Sequence, residues 1–581
     1  MRFTIRLLLV VLAGLISACS KPVVEHSDVT IYSAKTILTS NHEDPIASAL
    51  AVRGDKIVGV DKSENLTKQF NGATLDDSFA KKTIVPGLID PHVHMILGAM
   101  MYAKPFAPPW DVETPAGTVK GLPDRAAFLA RITELNAEHS GTDPLVIYGY
   151  HNLVHGALDK HVLDKITTKR PLIIWHYSGH DFYLNSKALT YAKVDASWAD
   201  KFHGVPLGVD GEPTGRVYED AVFDFLNNVG HLFLAPKDIG RGYKGLESMF
   251  ASNGVTTVAE LGYGLFGLPL EDNYYKALIG SDARTKLYLV PEHRAFAHAF
   301  GEERINKMGE MVEATKDTWP RVLPQVKLFT DAAFYSQTMR VSPPGYTGGQ
   351  NKGESGLWVT APDKLATTME PYWSAGLDIR IHSNGDAAQD ATLAAFEAVQ
   401  KNGTVEGQKL VLEHVGLITP TQIAKAKELG AGISVASHYV HYMGEAYVSA
   451  IGERVKYMTP LASTMKADLH TTMHSDAPLA PPSPLTAASV HMLRSTREGG
   501  VSTPAERLSA EQALRAITID AAWALGLEGK IGSIEVGKKA DFTILDMNPL
   551  TTKAEDWPNI AIWGVVLDGV KKPIRSANEE L

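Results

Sequence analysis

Apolar runs that finish in a charged, histidine or other polar residue recur through this 581-residue chain and alternate with helical stretches. The runs fall at 84–94, 145–151, 172–180, 255–260, 286–293, 326–331, 377–382, 409–414, 432–437 and 469–476, and helical patterns such as 241–252, 387–401 and 419–429 lie between them. Strands that alternate with helices indicate parallel βα units, because parallel neighbours need a crossover and a helix supplies it. The steps from Glu260 to His293, His293 to Lys327 and His382 to His414 are each about 33 residues, close to the ~30 per unit of a (β/α)8 barrel. His414 to Asp476 holds two units, and the longer step from Lys327 to His382 contains a Pro- and Gly-rich loop at 342–356.

Ten runs are two more than such a barrel uses, and the surplus lies between His94 and Val255. The runs 145–151 and 172–180 are therefore assigned to an insertion after strand 1, above the barrel face that carries chemistry, where it serves as a substrate lid. Short apolar runs with turn residues also fill both ends of the chain, and they read as small antiparallel pieces that meet in one β-sandwich. The predicted fold class is thus α/β: a (β/α)8 TIM barrel at 84–529, an inserted lid subdomain at 100–240, and a composite β-sandwich from 27–83 and 530–575.

The first barrel strand closes on Pro86-Gly87-Leu88-Ile89-Asp90-Pro91-His92-Val93-His94. Alternate residues on a strand share a face, so His92 and His94 point the same way and can grip one metal ion. Alone, such a pair is equally well two buried structural histidines. The strand count supplies further donors: Lys327 lies on strand 4, and His382, His414 and Asp476 end strands 5, 6 and 8. All of them face one barrel mouth. Nitrogen and oxygen donors with an open coordination position suit zinc or a similar divalent ion, one or two per chain. An ammonium cannot ligate, so Lys327 either bridges two metals as a carbamate or pairs with Asp331 or a substrate anion.

With these motifs the chain resembles the amidohydrolase superfamily, in its YtcJ-like, N-substituted formamide deformylase-like (amidohydrolase-3) branch. The resemblance covers nearly the whole chain after residue 19 and rests on Val85 to His94, Asn253-Gly254-Val255-Thr256-Thr257-Val258, Val326 to Asp331, His382-Ser383-Asn384-Gly385-Asp386-Ala387-Ala388, Leu412-Glu413-His414 and His474-Ser475-Asp476-Ala477-Pro478. Ser178-Gly179-His180 and Gly211-Glu212-Pro213-Thr214-Gly215 are similar to the branch's insertion. It implies metal-assisted hydrolysis with metal ligands His92, His94, Lys327, His382, His414 and Asp476. Asp476 would also be the catalytic residue, taking a proton from water and passing it to the leaving nitrogen. His180 matches a histidine position in the insertion and is assigned to substrate binding, with a core or surface role as the alternative. Glu260 and His293 end strands 2 and 3 as candidate orienting partners. Tyr439, His441 and Tyr442 are candidate pocket residues. The stretch Thr330-Asp331-Ala332-Ala333-Phe334-Tyr335 and the lack of a basic residue after Gly385-Asp386 depart from the branch's pattern, which affects pocket identity and not metal chemistry.

Arg2 and Arg6 precede the apolar run Leu7 to Ile16 and then Ser17-Ala18-Cys19. This reads as an export signal over residues 1–19, and its end resembles the bacterial lipoprotein box, with Cys19 as the lipidated residue. Cys19 is the only cysteine, so neither a disulfide nor a thiolate metal site competes for it. Ser20 follows it, where aspartate would favour inner-membrane retention, so the expected address is the outer membrane, facing the periplasm. A soluble periplasmic or extracellular form is the alternative. The net charge of −10 and the absence of a basic block exclude nucleic acid as a partner class.

The expected partners are a small-molecule substrate and, through Cys19, a membrane. Oligomeric state is left unassigned, a homodimer being one option. The expected reaction is hydrolysis of a non-peptide carbon-nitrogen bond, an amide of a small organic molecule. The alternatives are an esterase or cyclic-amide hydrolase on the same centre, or a binding lipoprotein without turnover.

Overall fold

The computed structural model describes residues 26–279 and 283–574. The expected signal, its lipidation residue Cys19 and the start of the expected anchor lie outside the described residues. Among those described, no helix is long and apolar enough to cross a membrane.

Eight parallel strands form the centre. β1 (Leu88–Val93), β2 (Val255–Tyr263) and β3 (Lys286–Pro291) pair in one sheet, with the short strand Arg321–Val322 at its edge. β4 (Gln325–Phe329), β5 (Asp378–Ser383), β6 (Leu410–His414), β7 (Gly432–Ala436) and β8 (Thr471–His474) pair in a second. The two sheets touch at both edges through parallel bridges, Glu292 with Lys327 and Val93 with Ala477. Nearly every residue of these strands is buried, the pattern of parallel strands covered on both faces. Helices fill the crossovers. Pro420–Glu428, after β6, starts on a capping box in which the Thr419 hydroxyl accepts the Gln422 N–H and the Gln422 side chain accepts the Thr419 N–H.

The run 84–94 is not one strand. It divides at Gly87: Thr74–Pro86 belongs to a different sheet, and β1 starts afresh at Leu88. A Cβ at Gly87 would lie 2.2 Å from Thr256 Oγ1, so only glycine lets the backbone pass β2 this closely. Strands from both chain ends make that other sheet, seven in all, in the order Val570–Pro573, Ile562–Leu567, Phe542–Leu545, Thr74–Pro86, Val29–Leu38, Ile46–Arg53 and Lys56–Asp61. It is mixed and not purely antiparallel, because Thr74–Pro86 returns beside Val29–Leu38 in parallel after the helix Ser63–Gln69. Buried Lys286, the first residue of β3, pins this sheet to the centre through Asp541 and Asp568, at 2.7 and 2.8 Å.

Leu145–Tyr150 and Leu172–His176 join neither central sheet. They pair with Asp181–Leu184 and Arg216–Tyr218 in a four-stranded sheet of their own. The run 172–180 ends early, at His176, and His180 falls in the turn that follows. This sheet rests on loops at the C-terminal ends of the central strands: Tyr177 donates its hydroxyl to Leu479 O at 2.5 Å, and Asn152 Nδ2 donates to Gln337 Oε1 at 3.1 Å.

Candidate metal centre

Strand ends bring the histidines together. His92 and His94 sit at the end of β1, and their rings are 5.2 Å apart; His414, at the end of β6, is 4.7 Å from His92 and 4.4 Å from His382 on β5. Asp476, just past β8, reaches into this group. Its Oδ1 is 3.5 Å from His92 Nε2 and 3.4 Å from His94 Nε2, and its Oδ2 is 3.6 Å from His414 Nδ1. Asp476 and His414 both have positive φ, 55° and 71°, a strained backbone for non-glycine residues that recurs at functional sites. Asp90, two residues before His92, steadies the strand-8 end by accepting Ser475 N–H at 3.1 Å and the Ser475 hydroxyl.

Two carboxylates fix the ring orientations of the β1 pair. His92 Nδ1–H donates to Glu413 Oε2 at 2.7 Å, and His94 Nδ1–H donates to Glu260 Oε1 at 2.9 Å. Each bond leaves an Nε2 lone pair facing the Asp476 carboxylate. Two acceptors face to face repel unless a cation lies between them. Without a metal ion a proton takes that place on His94: burial opposes its protonation, yet Asp476 and Glu260 on its two sides push it up to about 9. Asp476 itself is held low; burial acts the other way, and His94, His474 and Lys327 outweigh it.

Three buried atoms in this cluster have no hydrogen-bond partner: His92 Nε2, Asp476 Oδ1 and Lys327 Nζ. Lys327, on β4, is 1% exposed and is pulled down to about 8, mainly by burial, with Arg380 acting in the same sense and Glu413 and Asp476 opposing. Orphaned polar atoms of this kind are costly unless a ligand satisfies them. The donors fall into two overlapping groups, His92, His94 and Asp476, with nitrogen and oxygen ligands, and His92, His414 and His474, with nitrogen alone, and both sets suit a divalent ion such as zinc. His382 stands at the rim. Its Nε2–H donates to Ala332 O at 3.1 Å, and burial, then Lys327, push it down to about 3.

Four of the six sequence-predicted ligand positions, His92, His94, His414 and Asp476, fall in these groups; Lys327 and His382 are neighbours that join neither, and His180 is held elsewhere. His180 Nδ1 pairs with Glu219 Oε2 at 3.1 Å, and its side chain is 37% exposed. Glu260 faces the cluster, but His293 does not: it opens the helix His293–Phe300 and bonds to the Tyr372 hydroxyl at 2.7 Å. Tyr442 stacks on Trp110 of the insertion at 4.5 Å, and Tyr439 stacks on Phe334, in the loop after β4, at 3.8 Å. His441 instead bonds to Ser495 O.

Two neighbours escaped the residue-by-residue reading. Glu413 directly precedes His414 and is in register with His382 on β5, so strict alternation would turn His414 to the other face; the positive φ of His414 breaks that alternation. His474 Nε2 lies 3.3 Å from His414 Nδ1, and its Nδ1 pairs with Ser434 Oγ at 2.7 Å. The spacing His474-x-Asp476 repeats His92-x-His94 and was the available signal.

The family model described as "Amidohydrolase family" (Amidohydro_3) matches residues 81–571. The chain belongs to the amidohydrolase family. N-substituted formamide deformylase of Arthrobacter pascens is 24% identical to this amidohydrolase over 574 residues, covering 95% of this chain and 99% of that one. YtcJ of Bacillus subtilis (strain 168) is 22% identical over 558 residues, covering 93% and 98%. These two relatives place the amidohydrolase in the amidohydrolase-3 branch. Among solved structures, an uncharacterized metal-dependent hydrolase from Pyrococcus horikoshii OT3 superposes with a TM-score of 0.67 at 21% identity, covering 91% of this chain and 99% of that chain. The shared fold is a mixed α/β hydrolase fold.

Proposed function

We propose that this hydrolase cleaves the carbon-nitrogen bond of a small, non-peptide amide at the His92, His94, Lys327, His382, His414 and Asp476 cluster, with one or two zinc ions bound there. The observation that carries the reading is the set of three buried, unpartnered atoms, His92 Nε2, Lys327 Nζ and Asp476 Oδ1, among nitrogen lone pairs aimed at one carboxylate. When bound, a divalent ion supplies Lewis-acid polarisation of a carbonyl and a water acidified toward neutral pH. Asp476 is held ionised and lies at the centre of the cluster, so it accepts the proton of the attacking water and returns it to the leaving nitrogen. Glu413 and Glu260 keep the Nε2 atoms of His92 and His94 turned inward. Lys327, carbamylated, is the candidate bridge between two ions. His180 is the candidate substrate contact.

In the same reading the eight parallel strands close into a (β/α)8 barrel at 84–529, the sheet from both chain ends is its companion β-sandwich, and the insertion at 100–240 is the lid. The sequence around Cys19 supports a lipid-anchored outer-membrane protein that faces the periplasm. The name of the Arthrobacter relative favours amides over esters, lactams or simple ligand capture.

The experiment is a measurement of bound metal in the purified chain, followed by a screen of N-acyl amides and esters against wild type and Asp476→Asn. Amide turnover by wild type that Asp476→Asn abolishes is the expected result. No turnover of any substrate despite bound zinc overturns the enzyme reading, and esters outpacing amides moves the assignment to an esterase.

A further inference from the structure

Glu219 lies at the seam between the insertion and the central strands. Its side chain is 8% exposed, and its φ of 46° is left-handed, an unfavourable backbone for a residue with a side chain. The neighbourhood holds it there. Tyr218, just before it, donates N–H to Gly204 O at 2.9 Å and packs its ring 3.9 Å from the Arg216 guanidinium. Glu219 N–H donates to His180 O at 3.2 Å, so the backbones of the two residues are joined as well as their side chains.

The Glu219 carboxylate is shared between two elements. Oε2 takes His180 Nδ1 at 3.1 Å, while Oε1 accepts the Thr338 hydroxyl at 2.8 Å and Ala333 N–H at 3.4 Å. Ala333 follows Ala332, whose carbonyl accepts from His382 Nε2. One loop, the continuation of β4, therefore supports a candidate metal ligand at one residue and the Glu219–His180 pair at the next. With Nδ1–H held by the Glu219 carboxylate, Nε2 is the remaining polar atom of the partly exposed His180 ring, and it carries a hydrogen to donate when the ring is protonated, the form that a carboxylate partner favours.

We propose that Glu219 is a positioning residue that fixes His180 as an imidazolium, with Nδ1–H on its own carboxylate and Nε2–H presented to an oxygen acceptor of the amide substrate, and ties the insertion to the loop beside His382. This rests on reading the cluster as a hydrolytic centre. The charged and titratable groups acting on His180 are Glu219, Asp181, Asp476, His176 and His382. Burial opposes its protonation, and the carboxylates, Glu219 foremost, raise it. Asp181 is in turn paired with Arg216 at 2.5 Å, which leaves Glu219 as the dedicated partner.

The test is a double-mutant cycle of Glu219→Gln and His180→Gln, with Glu219→Asp as the conservative variant. kcat and KM are measured separately, and histidine-selective 15N NMR reads the His180 ring, assigned by the signal lost in His180→Gln. The expected result is that each single change raises KM about tenfold, the size of one hydrogen bond involving a charged group. kcat should change little, the double variant should be no worse than His180→Gln, and Glu219→Asp should recover part of the loss. In Glu219→Gln the His180 titration should move to lower pH. Losses that multiply in the double variant, or a His180 titration unmoved by Glu219→Gln, overturn the proposal. If wild type hydrolyses no substrate, the hydrolytic reading fails, and the NMR titration alone decides for or against the pairing.

Discussion

Glu413 holds His92 with one carboxylate oxygen, at 2.7 Å, and the buried Arg380 guanidinium with the other. All three side chains are fully buried, and Arg380 is tied further to Pro91 O and Ala524 O at 3.3 and 3.1 Å. The arrangement sets one buried carboxylate between the guanidinium and the imidazole and fixes which ring nitrogen of His92 faces the cluster.

Glu413→Gln is expected to act on stability and metal affinity together. It leaves Arg380 buried without a counter-charge, a loss of about 3–5 kcal/mol for a broken buried pair. It also frees the His92 ring, with an expected ~10–100-fold fall in metal affinity. Denaturant unfolding and competitive chelator titration measure the two effects, and an unchanged metal affinity contradicts the orienting role.

Lys327→Met is expected to separate stability from function. The ammonium is buried without a hydrogen-bond partner, so an unbranched apolar replacement removes a cost on the order of 1–3 kcal/mol. In chelator-treated protein the unfolding temperature should rise, and in metal-loaded protein amide turnover should fall. Calorimetry and steady-state assays read the two; a lower unfolding temperature in chelator-treated Lys327→Met counts against the lysine being an unsatisfied charge.

The alternation of apolar runs with helices made the parallel strands legible, since β5 to β8 each return after a helix and pair with the previous strand. The division at Gly87 was not legible: 84–94 reads as one apolar run, and the break comes from a close approach to Thr256 that only the packed chain contains. The same holds within the site. His92, His94 and Asp476 follow from strand ends, whereas the Glu413–His92 bond joins β6 to β1 across the packed centre, and the side-chain partners of Glu219, which are His180, Ala333 and Thr338, lie 39 to 119 residues away from it. Long-range side-chain partners are set by packing, which a linear period cannot encode.

Gly385 illustrates a motif residue whose reason is steric. Its φ is ordinary at −83°, but a Cβ there would sit 1.8 Å from Arg340 O. The Asp331 carboxylate binds the N–H groups of Asn384, Gly385 and Arg340 at 2.8 to 2.9 Å, so the clash cannot relax locally. Gly385→Ala should lower stability by about 1–3 kcal/mol and displace His382. Thermal unfolding and metal titration check both effects; wild-type values in each contradict the packing account.

Acid should loosen the insertion. Buried His155 accepts His151 N–H at 3.1 Å through Nδ1 and donates Nε2–H to Leu122 O at 2.9 Å, a neutral ring in a fixed tautomer. Burial pushes it down to about 4, with Leu122 O and Asp124 opposing. The folded state therefore binds fewer protons than the unfolded state, whose histidine titrates near ~6.5. This stabilisation is present above ~6.5 and is lost as pH falls toward about 4. Burial also pushes His151 and His176 down, which adds to the slope. Limited proteolysis within 100–240 should accelerate from pH 7 to pH 5, and urea unfolding of His155→Gln should depend less on pH than wild type over that interval. Equal slopes contradict the assignment.

The most direct test of the central claim is amide hydrolysis by the purified chain after exhaustive chelation, assayed before and after zinc is returned. Loss of hydrolysis on chelation and its recovery with zinc in wild type, but not in a His92→Ala, His94→Ala double variant, is the predicted result. Hydrolysis at the full rate in protein with no detectable metal contradicts the account.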